Sequence, residues 1–342
     1  MPLEELGGWP GLLTSLCNGE DLNATEAESV LTEILGGVAD PAQIAAFLVA
    51  LKIKGETTEE TTGLVRAMLK AAEPLNLPEG TIDIVGTGGS PARRHGALNV
   101  STMACFVAAG AGATVCKHGN RRASSSSGAF DLLDALGIDI DVTPAELEEQ
   151  VALHRIGFAY ARTFHPAMRF AGPVRAGIGV PTVFNVLGPL SHPGCVKRHV
   201  IGVADANLAN RMAEVLRVGG SSRAWVVTGH GRLDEIATTG PTRVVELIDG
   251  RINSWELDPT DLGISIAEPA DLVGGSPEDN AAIARAILAG DERGARRDIV
   301  LLNAAAGLVV ADITPDLFAG IEVASQSIDS GLAAQVLKSI SG

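Results

Sequence analysis

The first third of the chain places apolar residues at helical spacing, and a helix-capping pattern precedes each apolar run. Residues 25–28 have the Thr-x-x-Glu spacing of a capping box. Residues 40–43 offer an aspartate N-cap, a proline at the first helical position and a glutamine at the third. Gly55 closes that helix, and residues 57–72 form another that starts with a second Thr-x-x-Glu box. These patterns predict a helical N-terminal region.

The hydrophobic period changes after residues 73–80, a Pro/Gly-rich connection that we interpret as a domain boundary. Short apolar runs then alternate with helical stretches, which is typical of an α/β sheet with crossover helices. Residues 244–257 form two alternating runs about Asp249-Gly250, which predicts a type I′ hairpin, and the chain is helical again from Ser276. The other predicted strands are TIDIVG (81–86), ATVCK (113–117), IDIDV (138–142), IGFAYA (156–161), HVIGVA (199–204) and RAWVVTG (223–229).

Composition and charge narrow the possible functions. The chain has 342 residues, 46% of them hydrophobic and 4% aromatic, which suits an interior of small aliphatic side chains. Its formal charge of −15 argues against binding nucleic acid or anionic membranes through a general electrostatic field. Any polyanion must be held locally, by backbone N–H groups, a few cations or a metal. Four cysteines without CxxC spacing and an acidic N-terminus without an apolar segment predict a cytoplasmic protein with reduced thiols.

A glycine-rich turn, Gly86-Thr87-Gly88-Gly89, follows the first predicted strand. Glycines at the end of a strand permit positive φ and close approach, and a helix that starts near NVST (99–102) exposes N–H groups to an anion. The turn is neither a Walker A loop nor a G-x-G-x-x-G fingerprint. It is therefore either an anion site or a plain tight turn with a Ser/Thr cap.

A cationic, serine-rich loop, KHGNRRASSSSG (117–128), follows the second predicted strand. A serine run by itself is usually a solvated linker. This one lies at the carboxyl end of a strand, where α/β proteins bind ligands, and its cations and hydroxyls suit phosphate oxygens.

Two further segments carry candidate chemistry. Asp234-Glu235 is either a surface turn or, beside a polyanion, a pair of ligands for Mg²⁺. Among the apolar residues 164–190, Arg175 is either a structural ion pair or an anchor for a small carboxylate, whose shape its planar fork matches. His165, in the same segment, is by itself more typical of a hydrogen-bonded core histidine than of a catalyst.

In order and spacing, these segments together resemble the anthranilate phosphoribosyltransferases, a family of the tryptophan pathway with the nucleoside phosphorylase class II fold. The resemblance extends over nearly the whole chain. It rests on residues 40–57, GTGG (86–89), NVST (99–102), 117–128, HPAMRFAGPVR (165–175), FNVLGPL (184–190), LDEIATTGPT (233–242) and RRDIVLLNAAAGL (296–308).

The resemblance implies an α/β fold with two domains. A small, mostly helical domain would span residues 1–75, completed by helices from about 165–190. A large α/β domain, with a central mixed sheet flanked by helices, would span residues 76–342. The family transfers 5-phosphoribosyl from phosphoribosyl diphosphate to the amine of anthranilate, releases diphosphate and uses Mg²⁺. The expected assembly is a homodimer through the helical domain.

The resemblance also implies roles for individual residues. His118 and Arg175 would position substrate, and Mg²⁺ would bind Ser101, Asp234 and Glu235. Anthranilate would contact Gly86, Asn120, His165 and Arg175. The donor would contact Gly86, Thr87, Gly89, Ser90, Asn99, Val100, Ser101, Thr102, Lys117, His118, Gly119, Asn120, Arg121, Arg122, Ala123, Ser124, Ser125 and Ala129.

Three departures from the family pattern leave the acceptor open. Ser90 stands where the family has aspartate, and the stretch 90–98 is longer and carries adjacent arginines. Arg162 stands where the family usually has proline. A paralogous phosphoribosyltransferase with another aromatic or heterocyclic acceptor is therefore a second hypothesis. A third is a pyrimidine nucleoside phosphorylase, which the transferase-like segments 184–190 and 233–242 disfavour. A fourth is a non-catalytic nucleic-acid-binding relative, which the negative charge disfavours.

Overall fold

The computed structural model describes residues 3–91, 96, 98–121 and 127–342. The N-terminal region is helical, as the sequence predicts. Asp40 caps one helix through the N–H of Ala42, with Pro41 at its first position, and Thr57 caps the next through the N–H of Glu60. The helices are α1 (Gly8–Cys17), α2 (Ala24–Leu35), α3 (Pro41–Lys54) and α4 (Thr58–Lys70).

The capping box predicted at residues 25–28 is wrong by two residues. Helix α2 is capped by Asn23, whose Oδ1 accepts from the N–H groups of Thr25 and Glu26. The Glu26 carboxylate in turn accepts from the Asn23 N–H. Asparagine is at least as good an N-cap as threonine, and Asn23 has the same spacing to a glutamate.

The described residues form a seven-stranded sheet. Its strands are β1 (Ile82–Gly86), β2 (Val115–Gly119), β3 (Ile156–Tyr160), β4 (Arg198–Gly202), β5 (Arg223–Thr228), β6 (Thr242–Ile248) and β7 (Arg251–Leu257). They lie in the order β3-β2-β1-β4-β5-β6-β7. The pairs from β3 to β5 are parallel, and β5-β6 and β6-β7 are antiparallel, so the sheet is mixed.

The predicted hairpin is confirmed, and one predicted strand is wrong. Asp249 and Gly250 join β6 to β7 with φ of 49° and 75°, both positive as a type I′ turn requires. Residues 138–142 are a loop, and within the described chain they pair only through an isolated bridge from Ile138 to Ser341. The Asp139 carboxylate accepts from the Asp141 N–H, a local turn that competes with strand pairing.

Helices cover both faces of the sheet. Beyond α4 the helices are α5 (Val100–Gly110), α6 (Ala129–Ala135), α7 (Pro144–His154), α8 (Ala161–Phe164), α9 (Gly172–Ile178), α10 (Phe184–Leu190), α11 (Ala206–Val218), α12 (Pro277–Ala289), α13 (Ala295–Val310), α14 (Leu317–Asp329) and α15 (Leu332–Ile340). Ile82, Ile84 and Val200 face a core built with α5, α6 and α12–α15, whereas Val85 and Ile201 face a core shared with the N-terminal helices and α9–α11.

The strand order reverses direction beside β1. From β1 the chain proceeds to β2 and β3 on one side, then returns to place β4 on the other side. In open α/β sheets, such a switch point leaves a crevice at the carboxyl ends of the strands, where ligands bind. Among the described helices, none is long and apolar enough to cross a membrane.

Candidate active site

The segment Asp234-Glu235 lies directly over the carboxyl ends of β1 and β4. A Cβ atom at Gly202, the last residue of β4, would lie 1.8 Å from the Asp234 carbonyl oxygen. A Cβ atom at Gly86, the last residue of β1, would lie 2.5 Å from Asp234 Oδ2. Only glycine therefore allows these two strands to approach the acidic segment. The close approach predicted for the glycine-rich turn is, at Gly86, a contact with Asp234.

The two carboxylates are held by backbone N–H groups from the turn and from α5. The N–H of Gly88 donates to Asp234 Oδ2 at 2.8 Å, and the N–H of Ser101 donates to Glu235 Oε1 at 3.3 Å. Asp234 and Glu235 are only 1% and 3% exposed. The structure thus brings together Ser101, Asp234 and Glu235, which lie far apart in the sequence, and it excludes a simple surface turn for the acidic pair.

The oxygen ligands of this group fit Mg²⁺. Carboxylate and hydroxyl oxygens are its usual protein ligands, and it completes its octahedron with water and substrate oxygens. Across the described ranges, no group of three or more His, Cys, Asp or Glu side chains could hold a metal ion. A cation bound to Ser101, Asp234 and Glu235 would therefore take its other ligands from substrate and water.

Lys117 is buried beside these groups and links β2 to β1 and α5. Its Nζ donates to the carbonyl of Ile84 at 2.5 Å and to Ser101 Oγ at 3.2 Å.

Asp83, also fully buried, accepts from the N–H of His118 at 3.3 Å. Burial raises the pKa of Asp83 to about 7, and the charge of Lys117 and the N–H of His118 oppose that shift. Asp83 carried no signal in the sequence beyond its place in a strand.

The start of α5 and the start of α6 meet at the same edge of the sheet. Asn99 Nδ2 donates to the Ser127 carbonyl at 3.3 Å, and Ser127 Oγ donates to Asn99 Oδ1 at 3.1 Å. Val100 and Thr102 are buried in the first turn of α5. Gly119 ends β2 and Ala129 begins α6.

Asn120 and Arg121, in the described part of the loop after β2, make different contacts. Asn120 is exposed, and its Oδ1 accepts from the N–H of Arg121. The guanidinium of Arg121 pairs with Asp134 of α6 at 2.5 Å and lies 5.9 Å from the ring centroid of Tyr160. Arg121 thus anchors the loop to α6. The remaining predicted donor residues of this loop, and the arginines of the longer stretch before Asn99, lie outside the described residues. They are Arg122, Ala123, Ser124, Ser125, Arg93 and Arg94.

Three buried histidines lie next to the end of β2. The ring centroid of His118 is 5.0 Å from that of His165 and 5.8 Å from that of His192. Each ring bonds a carbonyl: His118 Nδ1 that of Gly188, His165 Nε2 that of Ser191 and His192 Nε2 that of Cys116. In the described structure, His118 Nε2 is buried without a hydrogen-bond partner. It is therefore a buried ring nitrogen that remains for a ligand.

The histidine cluster is neutral at pH 7. Burial, together with the neighbouring His165 and His192, lowers the pKa of His118 well below its usual range. Burial lowers the pKa of His165 to about 4 and that of His192 to about 3. His192 was missed by the sequence analysis, because an isolated His-Pro pair carries no functional signal.

Arg175 is half-buried and has no carboxylate partner in the described part of the chain. Burial lowers its pKa, and its guanidinium lies 4.9 Å from the ring centroid of Phe184. Phe184 begins α10, the same short helix that presents the Gly188 carbonyl to His118. The ion-pair interpretation of Arg175 is thus wrong for the described partners, and a desolvated cation is available for an anion.

The chain matches the two domain types of a glycosyl transferase family. Residues 79–334 match its a/b domain, and residues 10–72 match its helical bundle domain. The anthranilate phosphoribosyltransferase of Roseiflexus castenholzii is 48% identical over 322 residues, which cover 94% of each chain. The chain belongs to the anthranilate phosphoribosyltransferase family. The family predicted from the sequence is therefore confirmed.

Solved members of the anthranilate phosphoribosyltransferase family share the fold closely. The enzyme of Thermus thermophilus superposes with a TM-score of 0.90 at 42% identity, covering 96% of this chain and 97% of that one. The enzyme of Saccharomyces cerevisiae, in complex with PRPP and Mg, gives 0.89 at 29% identity, covering 97% and 96%. The same yeast enzyme in complex with 4-fluoroanthranilate gives 0.86 at 28% identity, covering 96% of each chain.

Two of the departures from the family pattern have defined positions. The hydroxyl of Ser90 donates to the carbonyl of Arg232 at 2.8 Å, and Ser90 is only 4% exposed. A carboxylate at this position would face that carbonyl oxygen, so serine fits the local hydrogen bonding. Arg162 lies in α8 and is exposed. The third departure, the longer stretch after Ser90, falls mostly outside the described residues.

Proposed function

We propose that this protein transfers the 5-phosphoribosyl group from phosphoribosyl diphosphate to the amine of anthranilate and releases diphosphate. The observation that carries the proposal is the buried pair Asp234 and Glu235, fixed by the N–H groups of Gly88 and Ser101 at the switch point of the sheet. This arrangement, in a member of this family, matches the need for a metal and fixed donors beside a leaving diphosphate.

The donor would lie across the carboxyl ends of β1 and β2. The glycine-rich turn (86–89) and residues 99–102 adjoin that edge and supply backbone N–H groups and hydroxyls. Lys117, within β2, supplies a cation. Ser101, Asp234 and Glu235 would hold Mg²⁺. When bound there, the ion neutralises negative charge that collects on the departing diphosphate.

The acceptor would lie beside the histidine cluster and Arg175. The planar guanidinium of Arg175 suits the anthranilate carboxylate, and the neutral His118 offers its Nε2 to a polar group of the ring. The neutral amine nitrogen forms the new bond to C1 as the C1–O bond breaks, and the electron pair of that bond leaves with diphosphate. The extra proton on nitrogen then passes to water, so these residues act by positioning and desolvation.

We also propose a homodimer formed through the helical domain (1–75), with helices from about 165–190 completing that domain. Val38, Val49 and Ile53 are 74%, 38% and 81% exposed, and the latter two share a face of α3. Because α3 is apolar on both sides, a second copy of the chain would remove this face from water. Charge substitution by Ile53→Asp should shift sedimentation toward monomer.

The free thiols, including the buried Cys105, agree with a cytoplasmic location.

Anthranilate fluorescence tests the proposed reaction. The signal should fall only when protein, phosphoribosyl diphosphate and Mg²⁺ are all present. A constant signal with folded protein would exclude anthranilate as the acceptor. Consumption of donor with another aromatic acid or a heterocycle would instead identify a paralogous transferase.

A further inference from the structure

Asn280 is a buried asparagine of α12 that no sequence motif singled out. It is fully buried, and its Nδ2 donates to Asn99 Oδ1 at 2.8 Å. Its own Oδ1 accepts from the N–H of Gly275 at 2.9 Å. Both ends of the amide are therefore used, and its orientation is fixed by groups on two sides.

This bond also fixes the amide of Asn99. Asn99 Oδ1 accepts from Asn280 Nδ2 and from Ser127 Oγ, while Asn99 Nδ2 donates to the Ser127 carbonyl. A flipped Asn99 would place its NH₂ group against the NH₂ group of Asn280. The network thus ties the start of α5 to the end of the serine-rich loop.

The segment that contains Asn280 also contacts the loop between β1 and α5. The N–H of Gly274 donates to the carbonyl of Gly96 at 3.2 Å, and a Cβ atom at Gly96 would lie 2.7 Å from the Gly274 oxygen. Residues 273–280 therefore touch the loop between β1 and α5 and, through Asn99, the loop between β2 and α6. Both loops belong to the proposed donor site.

We propose that Asn280 is a positioning residue for phosphoribosyl diphosphate, acting through Asn99 and Ser127. The proposal rests on the proposed function, because it assigns a role only if these loops hold the donor. Asn280 lies behind the loops and contacts the ligand only through them.

A different observation assigns a parallel role to Asn303 of α13. Asn303 is 2% exposed, its Oδ1 accepts from the N–H of Ile236 at 3.0 Å, and its Nδ2 donates to the carbonyl of Ile236 at 2.9 Å. Ile236 directly follows Glu235. One side chain thus holds both polar groups of the residue beside the carboxylate pair, and Asn303 positions the proposed Mg²⁺ ligands.

Binding of phosphoribosyl diphosphate at saturating Mg²⁺, measured by calorimetry without acceptor, tests Asn280. Asn280→Asp keeps the size and the acceptor for Gly275 but places a carboxylate against Asn99 Oδ1. It should raise the donor Kd roughly tenfold, equivalent to about 1.4 kcal/mol, as should Asn280→Ala. The exposed Asn253→Ala is the matched control and should bind as wild type.

A double-mutant comparison with Asn99→Ala separates a positioning role of Asn280 from a general disturbance of the fold. In an Asn99→Ala background, Asn280→Asp should add little to the donor Kd, because its route to the ligand is already broken. Asn303→Asp should instead raise the Mg²⁺ Kd of the donor-bound protein roughly tenfold by calorimetry, and the Mg²⁺ requirement for activity by the same factor, since its N–H donor to Ile236 is lost. The acceptor KM should stay unchanged in both variants.

Different results of these experiments overturn different proposals. If wild type fails to bind donor, the proposed function is wrong and both positioning roles fall with it. If wild type binds and Asn280→Asp binds equally well, or if its effect adds fully to that of Asn99→Ala, the role of Asn280 alone is overturned. An unchanged Mg²⁺ requirement in Asn303→Asp overturns the role of Asn303.

Discussion

Replacing Gly202 by alanine should separate the carboxylate pair from the sheet. The new Cβ would lie 1.8 Å from the Asp234 carbonyl oxygen and 2.3 Å from its carbonyl carbon. Ordinary contacts of a methyl group are near 3.5 Å, so the segment must move by roughly 1.7 Å. Both colliding atoms are backbone, and a side-chain rotation cannot relieve the clash. The displacement would also stretch the bond from the Gly88 N–H to Asp234.

The expected loss is large in catalysis and moderate in stability. A misplacement of about 1 Å costs on the order of 10²-fold in rate, so kcat/KM for the donor should fall by about that factor. Overpacking of this kind lowers the free energy of unfolding by about 1–3 kcal/mol. Gly86→Ala should be milder, because the nearest atom to its Cβ is the movable Asp234 Oδ2, at 2.5 Å, and the backbone oxygen of Asp234 lies farther away, at 3.0 Å.

Steady-state kinetics over a Mg²⁺ series and urea denaturation measure the two effects. Gly219→Ala, at the end of α11, is the control, since its Cβ would approach other atoms only to 3.3 Å. A folded Gly202→Ala protein with wild-type kcat/KM and Mg²⁺ requirement would refute the conclusion that the position of Asp234 and Glu235 governs the reaction.

Three other substitutions test separate parts of the site. Asp234→Asn with Glu235→Gln should abolish the response to Mg²⁺ while the melting temperature changes little; full activity at limiting Mg²⁺ would exclude the metal role. Arg175→Ala should raise the anthranilate KM roughly tenfold or more through loss of a charged hydrogen bond, with the donor KM as the internal control. His192→Gln tests the neutral cluster: the unfolded chain has a histidine pKa near 6.5 and the folded one about 3, so acid favours unfolding. From pH 7 to pH 5 wild type should lose about 2 kcal/mol more unfolding free energy than the variant, measured by urea denaturation, and equal losses would contradict the burial argument.

Other buried groups near His192 also change the pH dependence of the unfolding free energy. His118 and His165 share its depressed pKa and remain in the variant, so wild type and variant both lose stability in acid. Asp83 acts in the opposite direction, because its folded pKa of about 7 favours the protonated folded state below neutrality. Only the difference between the two proteins reports on His192.

The sequence predicted which segments meet at the carboxyl ends of the strands better than it predicted the buried groups around Arg175. The glycine-rich turn, residues 99–102 and Lys117 all follow strands, and parallel strands bring their carboxyl ends to one edge. The prediction for the strand at 138–142 failed because alternation alone does not supply a pairing partner, and an Asp139 turn satisfied the backbone instead. The N-cap of α2 was misplaced because two overlapping polar patterns compete within a few residues.

By itself, the sequence determined the caps of α3 and α4, the hairpin, the α/β pattern and the motifs at the strand ends, because these depend on residues a few positions apart. The tertiary structure alone decided which distant groups meet. The Asn280–Asn99 bond joins residues 181 positions apart, and the Asn303–Ile236 clamp joins residues 67 positions apart. The neutral state of the histidines and the contact of Gly202 with Asp234 likewise arise from burial and close packing. Desolvation and long-range packing depend on the whole fold, so no local pattern of residues encodes them.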